Sequence, residues 1–349
     1  MLRKIFKKPL GAFGLIIIGS ALLLALGAYF LMPDGSPNAN QMNVALAGKK
    51  PGFKVQVLQV TTSPAKTSFW HRALYGKEPS YKEIAVSEAQ QEGEVFVYHE
   101  YVGEGAQGIE KQIAIEDLYQ PQLITKTYWL GTDKYGRDLL SRLLLGSRIS
   151  LSVGFVSVFI SLIIGIPLGA IAGFYGGWID NLVMWFINVV WSIPTLLLVI
   201  AITLALGKGF WQVFIAVGFT MWVEVARVVR GQVLSTKQKE YVQAAQVLGF
   251  SDFRIIFKHI LPNVMAPVIV ISAANFAAAI LIESGLSFLG IGAQPPMPSW
   301  GGMIKDHYAY LLVDKAYLAM VPGIAIMLLV LAFMMLGNTL RDVLDVRRV

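Results

Sequence analysis

Cysteine is absent from the 349 residues, which excludes disulfides, thiolate nucleophiles and cysteine-bound metals. Histidine is nearly as scarce. His71, His99, His259 and His307 are far apart and no two stand at a metal-ligand spacing, so they read as ordinary surface or interface residues. No Gly-x-x-x-x-Gly-Lys-Ser/Thr loop is present to cradle the phosphates of ATP. Nor does a Gly-x-Ser-x-Gly elbow or a His-Glu-x-x-His helix occur, and no catalytic residue, metal site or cofactor is assigned. A net charge of +7 raises the question of nucleic acid, but no basic run is interleaved with aromatics, and no nucleic-acid partner is expected. Charge itself is scarce, at 15% of residues, against roughly 25% in soluble domains.

What replaces charge is apolar bulk, 55% of the chain. It is concentrated in runs at about 10–32, 149–175, 179–206, 210–229, 264–291 and 317–337. Roughly 20 apolar residues cross a bilayer core of about 30 Å, so these six runs predict an all-α polytopic membrane protein with about six transmembrane helices. Arg3, Lys4, Lys7 and Lys8 precede the first run. That run exceeds the roughly 7–15 residues of a signal h-region and is read as a retained helix with its amino terminus in the cytoplasm.

Residues 33–128 are polar, with alternating stretches at 54–60 and 94–101 that suggest strands. They hold nine Lys/Arg against eleven Asp/Glu, a lack of positive bias that suits an extracytoplasmic insert of mixed, partly β structure. A folded cap and a disordered tether both fit this composition. Six crossings return the carboxyl terminus, with Arg341, Arg347 and Arg348, to the cytoplasm together with 227–258. The expected organisation is therefore 1–32 (amino terminus and first helix), 33–128 (insert) and 129–349 (five-helix core). Pro167, Pro194 and Pro267 fall within spans and predict kinks, and Ala273, Ala274, Ala277 and Ala278 offer a face for close helix packing.

Between the fourth and fifth runs, 231–263 reads as two short helices around a glycine. Ser235 and Gln238 have capping-box spacing, and Tyr241, Ala244, Ala245 and Leu248 then share a helical face. Gly249 suits a left-handed helix end, and Ser251-Asp252 an N-cap with an acidic first turn. Phe253, Ile256, Phe257 and Ile260 form the second apolar face, which Pro262 is expected to end. Either the membrane interface or a partner protein would cover such faces.

Gln243-Ala244-Ala245, Gly249 and His259-Ile260-Leu261-Pro262 together resemble the signature loop of permease subunits of binding-protein-dependent ABC importers. The resemblance implies a coupling loop at 231–263 seated on an ATPase subunit, with Gln243, Ala244, Ala245, Gly249, Phe253, Ile256, Phe257, Leu261 and Pro262 as its contact and shaping residues. That family pattern begins with Glu where this chain has Gln243, and has an aliphatic residue in place of His259. Gly131-Thr132-Asp133, Gly136-Arg137-Asp138, Ser141-Arg142, 286–290 and Trp300-Gly301 resemble, more narrowly, the C-type permeases of dipeptide, oligopeptide and nickel importers. With it comes an expected assembly in the inner (cytoplasmic) membrane. It holds a homologous second permease subunit, two ATP-binding-cassette ATPase subunits, an extracytoplasmic substrate-binding protein and surrounding lipid, with both termini cytoplasmic and ATP hydrolysis on the partners. Dipeptide, oligopeptide and nickel-chelate all remain open as cargo.

Asp133, Arg137, Asp138 and Arg142 read as extracytoplasmic scaffold. Asp133 is expected to cap a short amphipathic helix that lays Leu139, Leu140, Leu143 and Leu144 on the membrane, and Asp138 to pair with Arg142 at i,i+4. Glu283 and Glu224 are carboxylates within spans, fitting either a pathway role or helix packing, and Glu224 stands one turn before Arg227 as a candidate ion-pair partner. An ion-gradient-driven secondary transporter is the alternative function, but no internal repeat supports it.

Overall fold

The computed structural model describes residues 2–63, 67–103, 105–106, 108–207 and 209–344, with the backbone alone at 120–122. Arg347 and Arg348 lie outside the described residues. The chain forms two compact units. Met1–Ala21, Ser150–Gln294 and Gly323–Val349 make the first, and Leu22–Ile149 with Pro295–Pro322 the second.

In chain order, α1 (Leu2–Phe6) and α2 (Pro9–Leu26) are followed by α3 (Ala28–Leu31). Strand β1 (Phe53–Thr61), helix α4 (Phe69–Tyr75) and strands β2 (Tyr81–Glu92), β3 (Val95–Glu100), β4 (Glu110–Ala114) and β5 (Leu118–Tyr128) come next. The remaining helices are α5 (Leu139–Tyr175), α6 (Gly177–Trp191), α7 (Thr195–Leu206), α8 (Phe210–Lys237), α9 (Glu240–Val247), α10 (Asp252–Arg254), α11 (Leu261–Phe288), α12 (Trp300–His307) and α13 (Tyr317–Leu344).

Among the described residues, α2, α5, α8, the stretch Asp252–Phe288 and α13 are long and apolar enough to cross a bilayer. A sixth crossing requires α6 and α7 together, which meet at 90°. The run at 179–206 is therefore two helices rather than one kinked span. Pro194 stands just before α7, where its ring keeps the preceding residue out of the helical region, and the chain breaks at 192–194. Pro167 and Pro267 do lie inside helices, as does Pro322.

The first unit is held by backbone approach. Gly165, Gly169 and Gly173 line one face of α5 at four-residue spacing, where added Cβ atoms would meet the carbonyl oxygens of Trp222, Ala226 and Arg230 on α8 at 2.7, 2.4 and 2.8 Å. Side chains longer than hydrogen do not fit. In a solvent as apolar as leucine, such van der Waals fit is what draws helices together. The expected alanine face is half right: Ala273 and Ala277 are buried in α11, whereas Ala274 is exposed. Large exposed side chains such as Leu23, Phe155, Ile163 and Leu182 point away from the protein, as lipid-facing groups do.

The second unit carries a five-stranded antiparallel sheet in the order β4-β3-β2-β1-β5. β1 pairs on both edges, Val57 standing opposite Ala85 on β2 and Ile124 on β5. Successive residues point to opposite faces, and on this strand both are covered. Val55 and Val57 join Leu46, Ala85 and Tyr128 in one cluster, while Leu58 joins Val86, Phe96, Tyr98 and Leu118 in another.

Candidate functional site

The loop between α8 and α11 departs from its expected form at both ends. Ser235 does not cap a helix: α8 runs through it to Lys237, and Lys239 precedes α9 without a side-chain bond. Burial of Val229, Val233 and Thr236 keeps α8 helical past that point, and Lys237 Nζ donates to the Phe174 carbonyl at 2.5 Å. The glycine turn is as expected. Gly249 has φ +74°, its N–H donates to Gln246 O at 2.9 Å and the Phe250 N–H to Ala245 O at 3.1 Å, the paired bonds of a Schellman end. Ser251 precedes α10 in extended conformation, with no side-chain bond to the helix.

Pro262 does not end the second helix. A π-helical stretch, Ile255–Ile260, carries α10 directly into α11, where Pro262 occupies the first turn. The wide π-turn before it makes room for the proline ring within a helix that continues.

The faces also differ from the expected set. Val242 and Ala245 of α9 are buried with Ile255, Ile256 and Ile260 in the core that includes Val229 and Val233. Tyr241, Ala244, Val247 and Leu248 are exposed, as are Phe253 and Phe257, whose rings lie 4.3 Å apart. Leu261 is half-buried and Pro262 exposed. Val247, at 88% exposure, and Leu248, at 72%, are the most prominent apolar groups here; Leu248 belongs to the face expected to need a covering surface, and Val247 lies outside it. Gln243 is exposed and donates to Gln238 O at 3.4 Å. The result is a patch of exposed aliphatic and aromatic side chains on a rigidly turned pair of short helices.

The Asp133 motif assembles a buried clamp in the second unit. Asp133 Oδ1 accepts from the N–H groups of Tyr135 and Arg137 at 2.8 and 3.0 Å, and Oδ2 takes Arg137 Nε at 2.6 Å. Arg142 Nε stands 3.8 Å from the same oxygen, and its Nη1 donates to the carbonyls of Asn38 and Ala39. Arg142 thus pairs with Asp133 and not, as expected, with Asp138. The cap is exchanged too: Asp133 shapes a turn, whereas Asp138 precedes α5 and accepts from Ser141 N at 2.7 Å and from its hydroxyl at 2.5 Å. No separate amphipathic helix forms, because Leu139 opens the 37-residue α5 and is fully buried. Arg137 Nη1 reaches Asn40 Oδ1, and the Ser141 hydroxyl accepts from Asp34 N, so the clamp fastens the 34–40 segment to the start of α5.

Beside the clamp is a cavity of about 440 Å³ whose walls include Asp34, Tyr81, Glu83, Lys126 and Tyr128. Lys126 and Glu83 form a largely buried ion pair at 2.5 Å. Burial pulls the ammonium pKa down, but the facing Glu83 carboxylate outweighs it and the net shift is upward. Burial pushes Tyr128 up to about 12. His307 is buried in α12, its Nδ1 donating to Met303 O at 2.8 Å and its Nε2 accepting from Lys134 N at 3.4 Å, and burial lowers its pKa.

Glu283 is buried in α11 and accepts the Ser287 hydroxyl at 2.6 Å, while Ser287 Oγ in turn accepts the Ala293 N–H at 3.2 Å. That chain closes the turn after α11, which gives the 286–290 motif a structural reason. Glu224 is exposed on α8 and makes no ion pair with Arg227, which lies over the Trp191 ring at 3.5 Å. A second cavity, of about 500 Å³, is lined by Val228, Gln232, Pro267, Ile271, Ala274 and Arg341 of the first unit. Among the described residues, no group of three or more His, Cys, Asp or Glu is placed to hold a metal.

Bilayer-length helices packed through glycine, a bent helix pair and an exposed apolar loop between two spans define a multi-pass membrane protein of transporter type. Residues 165–349 match the family described as "Binding-protein-dependent transport system inner membrane component". The chain is 41% identical over 221 residues to a glutathione transport system permease protein, GsiD, of Pectobacterium atrosepticum, covering 63% of this chain and 73% of that one. It is 44% identical over 218 residues to a dipeptide transport system permease protein, DppC, of Alkalihalophilus pseudofirmus, covering 62% and 71%. The structure of the MetNI methionine ABC transporter in inward-facing conformations shares the fold at 18% identity with a TM-score of 0.50, over 59% of this chain and 98% of that one. The chain belongs to the binding-protein-dependent transport system inner membrane component family, and is a transport subunit of the inner membrane.

Proposed function

We propose that this chain is the C-type permease subunit of an ATP-driven importer of small peptides. It works beside a homologous second permease, two ATP-binding-cassette ATPases and an extracytoplasmic binding protein. The names of the two relatives above, a dipeptide and a glutathione permease, support the cargo class. With no phosphate loop in the sequence, ATP binding falls to the partners. The observation that carries the reading is the exposed apolar patch on α9 and α10, held at a fixed angle by left-handed Gly249 between two spans. Val247, Leu248, Phe253 and Phe257 exposed together call for a covering surface, which in this reading is the ATPase.

In this reading 231–263 is the coupling loop. Ala245, Ile256 and Leu261 shape it from within, and Ala244, Gly249, Phe253, Phe257 and Pro262 face the ATPase. Gln243 contributes a neutral hydrogen-bonding group there. The termini and coupling loop lie in the cytoplasm, and the 33–128 insert outside. Asp133, Arg137, Asp138 and Arg142 are scaffold of the outer end, while Glu283 and Glu224 belong to helix packing or the pathway wall.

Leu248→Asp and Phe253→Asp test the docking, because both side chains are exposed and their replacement leaves the chain's own core intact. Expected is normal membrane insertion with joint loss of peptide uptake and of ATPase co-purification. Wild-type uptake by both variants sinks the coupling-loop assignment.

A further inference from the structure

Helix α4 is seven residues long and leaves nearly everything it has exposed. Phe69, Trp70, Leu74 and Tyr75 are 65%, 74%, 54% and 62% exposed, a density of apolar surface that water does not favour. Yet the helix is firmly placed. Phe69 stacks on Phe30 at 5.5 Å, and the Arg72 guanidinium lies 5.1 Å from the same ring. Arg148 Nη1 donates to the carbonyls of Ala73 and Leu74, both at 3.2 Å, which satisfies the carboxyl end of α4. Gly76, at φ +85°, abuts Tyr29 so closely that a Cβ would sit 2.7 Å from its ring, and the Lys77 N–H reaches Gly35 O at 3.0 Å.

Phe30 and Tyr29 belong to α3, and α3 continues the first bilayer-length helix. The Gly27 N–H still bonds to Leu23 O at 2.9 Å and the Leu31 N–H to Gly27 O at 3.1 Å. Phe30 and Leu31 are themselves 43% and 59% exposed, so the apolar surface of α4 is continuous with the lipid-facing surface of that span where the span ends. The residues gathered there are Trp, Tyr and Phe with His71, Arg72 and Lys77 beside them. Amphipathic rings with flanking cations are the side chains that settle at the level of lipid headgroups.

We propose that α4 is an interfacial anchor: it lies in the headgroup region of the leaflet where the first span ends, inserts Trp70, Leu74 and Tyr75 among the lipids, and holds the sheet-bearing insert down on the membrane surface. The proposal rests on reading α2 as a membrane span. Lipid is the occupant because the patch prolongs a surface that already faces it.

The absence of native cysteine makes the test direct. Nitroxide labels at Trp70→Cys and Leu74→Cys, with Leu23→Cys on α2 and Ser87→Cys on the sheet as references, are read by power saturation with oxygen and with a nickel chelate. The assembled transporter is used, in nanodiscs of phosphatidylcholine and phosphatidylglycerol. Positions 70 and 74 are expected to favour oxygen over nickel several-fold more than position 87, at a depth shallower than position 23. Labels at 70 and 74 that match position 87 overturn the anchor. Low collision with both reagents at 70 and 74 also overturns it, since a protein partner then covers the helix. A water-exposed label at position 23 removes the span beneath, and the proposal with it, and so separates the two failures.

Discussion

The two units stabilise themselves with opposite chemistry. In the first, three glycines of α5 meet carbonyls of α8, and charged pairs such as the bidentate Arg230–Asp180 contact sit near helix ends. In the second, ion pairs are buried outright: Asp133 with Arg137 and Arg142, and Glu83 with Lys126. Solvent explains the contrast. A charge in hydrocarbon has no water to fall back on in the unfolded or mispaired state, so spans associate through shape, whereas the sheet-bearing unit buries ions where each has its partner. Each unit is accordingly vulnerable to a different kind of substitution, steric in one and electrostatic in the other.

The steric half predicts the largest effect. Gly169→Leu places a branched side chain where a Cβ alone would stand 2.4 Å from Ala226 O and 2.9 Å from Val229 Cβ. Two helix backbones must separate to admit it. The expected outcome is loss of the folded, monodisperse species in detergent, followed by fluorescence-detected size exclusion. Gly231→Ala on α8 is the control, since a Cβ there meets nothing within 4 Å and removing a helical glycine stabilises by roughly 0.5–1 kcal/mol. A wild-type profile for Gly169→Leu breaks the picture of a glycine-packed core.

The electrostatic half predicts a smaller, localised loss. Lys126→Met strands the Glu83 carboxylate in a site where both side chains are only 13–14% exposed. Leaving one partner of such a pair costs about 3 kcal/mol. Amide exchange should quicken across 53–128 while α8 and α11 stay protected. Adding Glu83→Leu removes the stranded charge and should recover most of the loss. If the double variant is no better than the single one, the pair is not what holds the sheet.

The same contrast governs how much could be read in advance. Apolar runs mark the spans because lipid accepts every apolar face, and all six runs contain helices. Alternation marked β1 and β3, which bury Val57, Leu58, Phe96 and Tyr98, but not β2 and β4, where polar residues such as Glu88, Gln90 and Lys111 occupy exposed positions. In the 231–263 loop the pattern gave two helices and a left-handed glycine, yet α9 carries two apolar faces. Period alone does not tell which of them, Val242 with Ala245 or Tyr241 with Leu248, its own chain covers. The clamp shows a related limit: local spacing suggested an Asp138–Arg142 pair, and a segment about 100 residues away in sequence redirected Arg142 through the carbonyls of Asn38 and Ala39. The α5 glycines stand in the sequence as a repeated small-xxx-small pattern, a packing signal that needs no structure to be read.

The smallest predicted effect refines the comparison, because the second unit also buries a group that must stay uncharged. His307 Nδ1 donates to Met303 O, and Nε2 faces the N–H of Lys134, so a proton added to Nε2 would set donor against donor. Burial lowers the folded pKa below the ordinary 6.5. Above that value the imidazole is neutral folded or unfolded and contributes no pH dependence. As pH falls below about 6.5 the unfolded chain gains a proton that the folded one resists, and stability declines by up to about 1.4 kcal/mol per pH unit until the folded pKa is reached. Protection factors at 300–307, which correct for the slower intrinsic exchange in acid, should therefore fall as the pH drops from 6.5 to 5.5. His307→Gln, which keeps a donor and an acceptor but cannot titrate, should flatten that response. Equal acid sensitivity in the two proteins would assign the effect to groups other than His307, leaving the buried histidine as packing alone.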